Sequence, residues 1–472
     1  RPPRSTQGVS SAASDVYKRQ LVGGCDKTVP AQIMGALSSN IPFVQLVSGP
    51  MSVGSFKGER VGACTDCRRI WADYRAGNIN EDDMSDASNQ LVPTIGTCGV
   101  MGTASTMALM VETLGLMVPG GACAPAVSSQ RIRIAEETGS LAVKIANRDY
   151  NPRNWLTEHS FENALRVLLA VGGSTNGIIH LSAIAGRMGI NLDLKRLDEL
   201  GRDTPVLVDL KPSGNGYMED LDRAGGLVRI LTEIEDLLNL DALTASGKTL
   251  GEIINDTRLS WPQSIVRRRN KPIFKSGGLA VLKGNLAPNG AIIKQSAASA
   301  KLLVHKGKAV VFDGLADLAN RIDDEDLDVS PEDILVLKNI GPKGAPGMPE
   351  AGLIPIPKKL ARRGVKDMVR ISDGRMSGTA SGTIVLHVAP EAAIGGPLNY
   401  VENGDEIYLN VNLRVLKLLV SDEELNSRKE NIPLKISAPA RGYGKLFFDH
   451  VMQAPQGVDF DFLVGVDDES EI

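Results

Sequence analysis

The run Ile41-Pro42-Phe43-Val44-Gln45-Leu46-Val47 and, after loops punctuated by glycine, the run Thr103-Ala104-Ser105-Thr106-Met107-Ala108-Leu109-Met110-Val111-Glu112-Thr113-Leu114-Gly115-Leu116 decide the fold class. The first is short, apolar and partly β-branched, as in a strand buried on both faces; the second is too long for such a strand and reads as a helix. Repeated along residues 21–150, this alternation predicts an amino-terminal α/β domain whose sheet is largely parallel and crossed over by helices. Residues 161–171 and 178–188 carry apolar side chains at helical spacing and bracket the turn Gly172-Gly173-Ser174-Thr175-Asn176. That turn places Ser174 or Thr175 where a helix N-cap would stand, with free amides pointing outward.

Residues 256–274 become basic and irregular, including Arg267-Arg268-Arg269-Asn270-Lys271-Pro272, and read as an interdomain linker. Beyond it the character changes. Short β-like runs at residues 277–282, 308–312, 334–337, 369–371, 383–388 and 406–411 are separated by Gly, Pro and Asp, which predicts a β-rich, barrel-like carboxy-terminal domain with flanking helices. The expected organisation is a leader over 1–20, an α/β domain over 21–260, a β-rich domain over 270–450 and a tail over 451–472 that ends in acidic residues. The leader is Ser-rich and polar, as a non-native stretch or a disordered tail would be.

A chain of 472 residues exceeds what one core supports. Its net charge of -4 and its 4% aromatic content offer neither a basic field nor a base-stacking surface, so nucleic acid is an unexpected partner. No apolar run approaches the roughly 18 to 20 residues that span a bilayer, and no membrane association is expected. Five cysteines without a secretory signal argue for reduced thiols and a cytoplasmic location.

Gly23-Gly24-Cys25-Asp26-Lys27 sets a soft thiolate, a hard carboxylate and an amine side by side. Thiolates suit iron, zinc or copper(I) and carboxylates suit magnesium or manganese, so this loop reads as the edge of a two-metal site. A buried Cys beside a surface Asp-Lys pair is the plainer alternative. Cys98 stands in the Gly-flanked loop Gly96-Thr97-Cys98-Gly99 that opens into a helix, where backbone amides could stabilise a cluster thiolate. Cys64 and Cys67 form a CxxC without a second half, a weak zinc signal. The loop Gly341-Pro342-Lys343-Gly344-Ala345-Pro346-Gly347-Met348-Pro349-Glu350 delivers one carboxylate along a fixed path. After the β-like run at 369–371 comes Ser372-Asp373-Gly374-Arg375-Met376-Ser377-Gly378-Thr379, in which Ser377 is either a turn hydroxyl or, near a cation, a base. The five histidines are dispersed and read as core or surface residues.

In order along the chain, GGCDKTVPA, TCGVMGTASTM, VGGSTN, SGGLAVLKGNLAPNGAIIK, VLKNIGPKGAPGMPE and ISDGRMSGT resemble the dihydroxy-acid and sugar-acid dehydratase family, which includes phosphogluconate dehydratase. The resemblance spans nearly everything after Leu21. It implies an iron–sulfur cluster, the two-iron form ahead of the four-iron form, beside Mg2+. Cys25 and Cys98 then match cluster ligands; Asp26, Lys27 as a carbamate, and Glu350 match magnesium ligands. Ser377 matches the proposed base, and Gly173, Ser174, Thr175 and Asn176 match a substrate-binding turn. The implied reaction is dehydration of a 2,3-dihydroxy acid to a 2-keto acid. The region around Cys64 reads like the sugar-acid branch, so an aldonate is expected ahead of a branched-chain dihydroxy acid, and a homodimer or homotetramer is expected.

The family places a further cluster cysteine and magnesium aspartate upstream of GGCDK, where this sequence has no cysteine. An amino-terminal truncation with little activity of its own is therefore expected, and Cys64 is not assigned as a replacement ligand. Two other functions are carried alongside: an iron–sulfur or redox-sensing protein, which needs neither Glu350 nor Ser377, and a zinc hydrolase built on Cys64 and Cys67.

Overall fold

A computed structural model describes residues 19–465 apart from 149, 435 and 437; residues 1–18 of the leader expected over 1–20, and the acidic stretch 467–471, lie outside them, whereas Arg19 and Gln20 belong to the first strand. The amino-terminal half opens with β1 (Arg19–Gly23), helix α1 (Thr28–Ser38) and β2 (Phe43–Val47), with β1 and β2 paired in parallel. This is the strand–helix–strand unit expected from the first apolar run, and every residue of β2 is buried, as a strand covered on both faces requires. A hairpin, β3 (Gly54–Phe56) and β4 (Glu59–Val61), precedes helices α2 (Thr65–Ala76) and α3 (Glu81–Gln90).

Helices carry most of the remaining amino-terminal core. Helix α4 (Thr103–Thr113) has all but one of its residues buried and packs on α6 (Glu158–Ala170); α5 (Ser129–Asn147) lies over β2. Helix α7 (Asn176–Gly186) follows α6 after the Gly172-Gly173-Ser174-Thr175 turn. One large apolar cluster links these helices with β2, including Phe43, Met107, Leu109, Phe161 and Leu168.

The carboxy-terminal half closes a barrel of eight strands: β5 (Ala280–Gly284), β6 (Ala287–Ile293), β7 (Val304–Asp313), β8 (Ile334–Lys338), β9 (Arg370–Ser372), β10 (Ile384–Ala389), β11 (Glu406–Asn410) and β12 (Val415–Leu418). Around the barrel the order is β10-β6-β5-β12-β11-β7-β8-β9. Closure leaves no free edge. Alternate residues point inward, such as Ala309, Val311, Ile334, Val336, Ile407 and Leu409, and fill the interior with side chains. Strands β7, β8, β9 and β10 run parallel, so the loops leaving the carboxyl ends of β8 and β9 emerge side by side. These two loops carry Glu350 and Ser377. Among the described residues no helix is long and apolar enough to cross a membrane.

Candidate functional site

At the carboxyl end of β1 the chain turns through Gly24 before α1 begins. A Cβ on Gly24 would stand 1.9 Å from Ser48 Oγ, so only glycine fits. Cys25 follows with a φ of 85°, a left-handed conformation that a non-glycine residue seldom adopts and that often marks a functional position. This turn directs Cys25 and Asp26 into a cavity of about 640 Å³ that is also lined by Cys64, Cys98, Glu350 and Ser377. Residues from both halves of the chain therefore meet in one space.

The hard donors lie together. Lys27 Nζ donates to Asp26 Oδ2 at 2.7 Å and stands 3.7 Å from Glu350 Oε2. Burial opposes ionisation of Asp26, but hydrogen bonds from Lys27 and Cys25 outweigh it and hold the carboxyl below its ordinary 3.8. Asn176, fully buried at the start of α7, fixes Glu350 from behind: its Nδ2 donates to Glu350 Oε2 (3.3 Å), Thr103 Oγ1 (3.3 Å) and the Met376 carbonyl (3.1 Å). Ser174 Oγ bonds Thr103 Oγ1 at 2.7 Å, and a Cβ on Gly378 would meet Ser174 Oγ at 2.4 Å. Gly173, Ser174, Thr175 and Asn176 are thus a buried buttress that locks α4, Glu350 and the Ser377 loop together.

The soft donors line the same cavity, with Cys25 Sγ 3.2 Å from Asp26 Oδ1. Cys64 precedes α2 with a φ of 73°, and its Sγ lies 2.9 Å from Cys98 Sγ. The hydrogen bond to Cys98, and then the guanidinium of Arg68, bring Cys64 down to about 7, whereas the same contact and burial push Cys98 up. Burial also raises Cys25. Cys67, three residues after Cys64, instead packs among Val61, Ile70 and Met84. The CxxC pair is thereby split: Cys64 faces the cavity and Cys67 a small apolar core, which leaves the zinc-hydrolase reading without its ligand pair.

Ser377 lines this cavity as well. Its Oγ is 2.7 Å from Thr379 Oγ1, which in turn accepts a hydrogen bond from Arg68 Nη1. A cationic guanidinium is therefore relayed through one hydroxyl to the serine. The sequence pointed to Ser377 but not to Thr379 or Arg68; the available signals were the spacing Ser377-Gly378-Thr379 and the placement of Arg68 one helical turn after Cys64. The Glu350 loop is pinned by carboxylates of its own half: Asp373 accepts from the amides of Asn339 and Ile340 at 3.2 and 3.1 Å, and Glu391 from those of Lys343 and Gly344 at 2.9 Å each.

The donor chemistry suits the two expected groups. Three thiols share one cavity with Asp26 and Glu350, and magnesium commonly takes only one or two carboxylates together with waters and substrate. Among the described residues no set of three or more His, Cys, Asp or Glu side chains converges tightly enough to hold a metal alone. A magnesium ion here would therefore draw on Lys27, water or substrate besides the two carboxylates.

The dihydroxy-acid/6-phosphogluconate dehydratase amino-terminal profile matches residues 19–253, and the corresponding carboxy-terminal profile matches residues 264–458. The chain is 47% identical over 447 residues to an L-arabinonate dehydratase of Rhizobium leguminosarum bv. trifolii, covering 94% of this chain and 77% of that protein. It is 43% identical over 446 residues to a 6-deoxy-6-sulfo-D-gluconate dehydratase of Pseudomonas putida, covering 94% and 77%. A dihydroxy-acid dehydratase of Methanosarcina barkeri is 41% identical over 413 residues, covering 87% and 74%. The chain belongs to the dihydroxy-acid/6-phosphogluconate dehydratase family.

Proposed function

We propose that this protein removes water from a 2,3-dihydroxy carboxylate of the sugar-acid class, an aldonate, to give a 2-keto-3-deoxy acid. One observation carries the reading: Cys25 and Cys98, Asp26 and Glu350, and Ser377 line a single cavity. The sugar-acid substrates named for two of the relatives support the choice of an aldonate over a branched-chain dihydroxy acid.

Cys25 and Cys98 would hold an iron–sulfur cluster, and Asp26, Glu350 and Lys27, as a carbamate, a magnesium ion. When bound, these groups supply Lewis acidity toward the carbon-3 hydroxyl and toward the carboxylate and carbon-2 oxygens. The chain's own residues do the rest. Ser377 Oγ takes the proton from carbon-2, and the Arg68–Thr379 relay favours the charge that Ser377 needs to act as a base. The carbon-3 hydroxyl departs with the proton taken from carbon-2, as water, and the enol becomes the 2-keto acid as its hydroxyl proton is lost and one is gained at carbon-3. Asn176 keeps Glu350 and the Met376 carbonyl in register, so donors from the two halves stay at fixed separation. The cysteines are unpaired, as a reducing cytoplasm would keep them, and a homodimer or homotetramer is proposed with them.

The test is keto-acid formation by the protein as its native gene encodes it, reconstituted with iron and sulfide, supplied with Mg2+ and offered L-arabinonate and 2,3-dihydroxyisovalerate side by side. Turnover of the aldonate, lost in Ser377→Ala, is expected. Exclusive turnover of the branched acid would reassign the substrate, and undiminished turnover by Ser377→Ala would refute the role of the serine. A protein that binds the cluster but dehydrates neither acid would be the redox-sensing alternative.

A further inference from the structure

Behind the Asp26-Lys27 turn lies a second cavity, of about 360 Å³, whose wall includes Lys27, His180, Arg187, Met348 and Arg375. Arg375 is only 7% exposed. Its Nε donates to the Met348 carbonyl at 2.6 Å, and among the described residues neither terminal nitrogen of its guanidinium makes a hydrogen bond or an ion pair. Asp26 and Glu350 act on it electrostatically from farther off, and each already engages Lys27. Burying a guanidinium costs several kcal/mol unless an anion compensates it. His180 and His387, both near Arg375, cannot do so: burial and the Arg375 charge hold each at about 3, so both are neutral at physiological pH. The Nε2 atoms of both rings are buried and lack partners among the described residues. Arg187, the other cation on this wall, is already satisfied by Asp459 at 2.5 and 2.8 Å and by Ser38.

We propose that this cavity is a binding site for a small planar oxyanion, held bidentately by the free edge of the Arg375 guanidinium, with His180 as a flanking donor. A planar fork of two N–H groups matches a carboxylate or bicarbonate in geometry as well as in charge. The ligand is either the carboxylate of a hydroxy acid or free bicarbonate, which share this chemistry. The site stands apart from the thiol-lined cavity, and its occupancy does not depend on dehydration.

The experiment uses the full chain in EDTA, so that no divalent ion contributes. Formate, bicarbonate and L-arabinonate are titrated while the melting temperature is followed and phenylglyoxal modification of Arg375 is mapped by peptide mass spectrometry. Expected are a saturable rise in melting temperature with formate, protection of Arg375 by formate, and at least about tenfold weaker binding in Arg375→Gln. Competition by L-arabinonate identifies a hydroxy-acid carboxylate as the occupant; competition by bicarbonate alone identifies free bicarbonate. The proposal is overturned if formate leaves the modification rate of Arg375 unchanged, if Arg375 never reacts, or if Arg375→Gln responds to the anions as the wild type does. The phenylglyoxal arm needs only wild-type protein, so a misfolded variant does not blunt the test. Its failure would leave the dehydratase reading intact, because it requires neither cluster nor magnesium.

Discussion

Lys294→Met should stabilise this protein near neutral pH and lose that advantage as the solution becomes alkaline. Lys294 is 7% exposed, directly after β6, and its hydrogen bond is to the Gly378 carbonyl at 3.3 Å. Burial alone pushes it down to about 7 from the ordinary 10.5. Between these two values the unfolded chain holds a proton that the folded chain has released, so stability rises with pH by about 1.4 kcal/mol per pH unit through that window. The destabilising contribution is fully present below about pH 7 and is gone above 10.5. Over the whole window it amounts to about 5 kcal/mol, and at pH 7, where half of the folded molecules keep the proton, to on the order of 4 kcal/mol. Methionine has similar length and no charge but gives up the bond to Gly378, worth about 1 kcal/mol. The variant should therefore exceed wild type by about 3 kcal/mol at neutral pH and fall slightly below it near pH 10. Melting curves by circular dichroism at pH 7, 8, 9 and 10 would show two converging profiles. Profiles that stay parallel would refute the argument, because they would mean that Lys294 keeps its proton on folding.

Asn176→Ala removes two buried hydrogen bonds and one part-buried one and leaves the Met376 carbonyl without a donor among the described residues, so a loss of about 2 to 3 kcal/mol in unfolding free energy is expected by denaturant titration. Thr379→Val keeps the shape but breaks the Arg68-to-Ser377 relay; kcat should drop about 10- to 100-fold with little change in KM or melting temperature. Gly24→Ala forces a methyl against Ser48 Oγ and should cost about 1 to 3 kcal/mol, read as a lower melting temperature, while Ser48→Gly in the same chain restores part of it.

The strands were legible because strands buried on both faces are written as continuous apolar runs: residues 308–312 and 334–337 lie in strands, and of the run 41–47 residues 43–47 do. The helices over Thr103–Thr113 and Glu158–Ala170 were legible from spacing and length. Closure of the barrel was less so, because pairing β12 with β5 joins residues more than a hundred positions apart and no local propensity encodes that choice. Gly24 and its neighbours could be read as a donor-bearing turn, but the positive φ at Cys64 that swings its thiol toward Cys98 is set by packing rather than by residue type. Nor does any spacing announce that Asn176 reaches Glu350, 174 positions away, or that Arg375 lines a cavity with His180 and Arg187.

The central claim is that thiol wall and serine act as one unit on one substrate. It is tested most directly by kcat/KM for L-arabinonate in Ser377→Ala, Cys98→Ser and the double variant after identical reconstitution with iron, sulfide and Mg2+. Residues that work together in one step are strongly non-additive. The account predicts that each single change lowers kcat/KM by about a thousandfold or more and that the double variant is scarcely worse than either. Either single variant retaining more than about a tenth of wild-type kcat/KM, a loss of under about 1.4 kcal/mol in transition-state stabilisation, would contradict it.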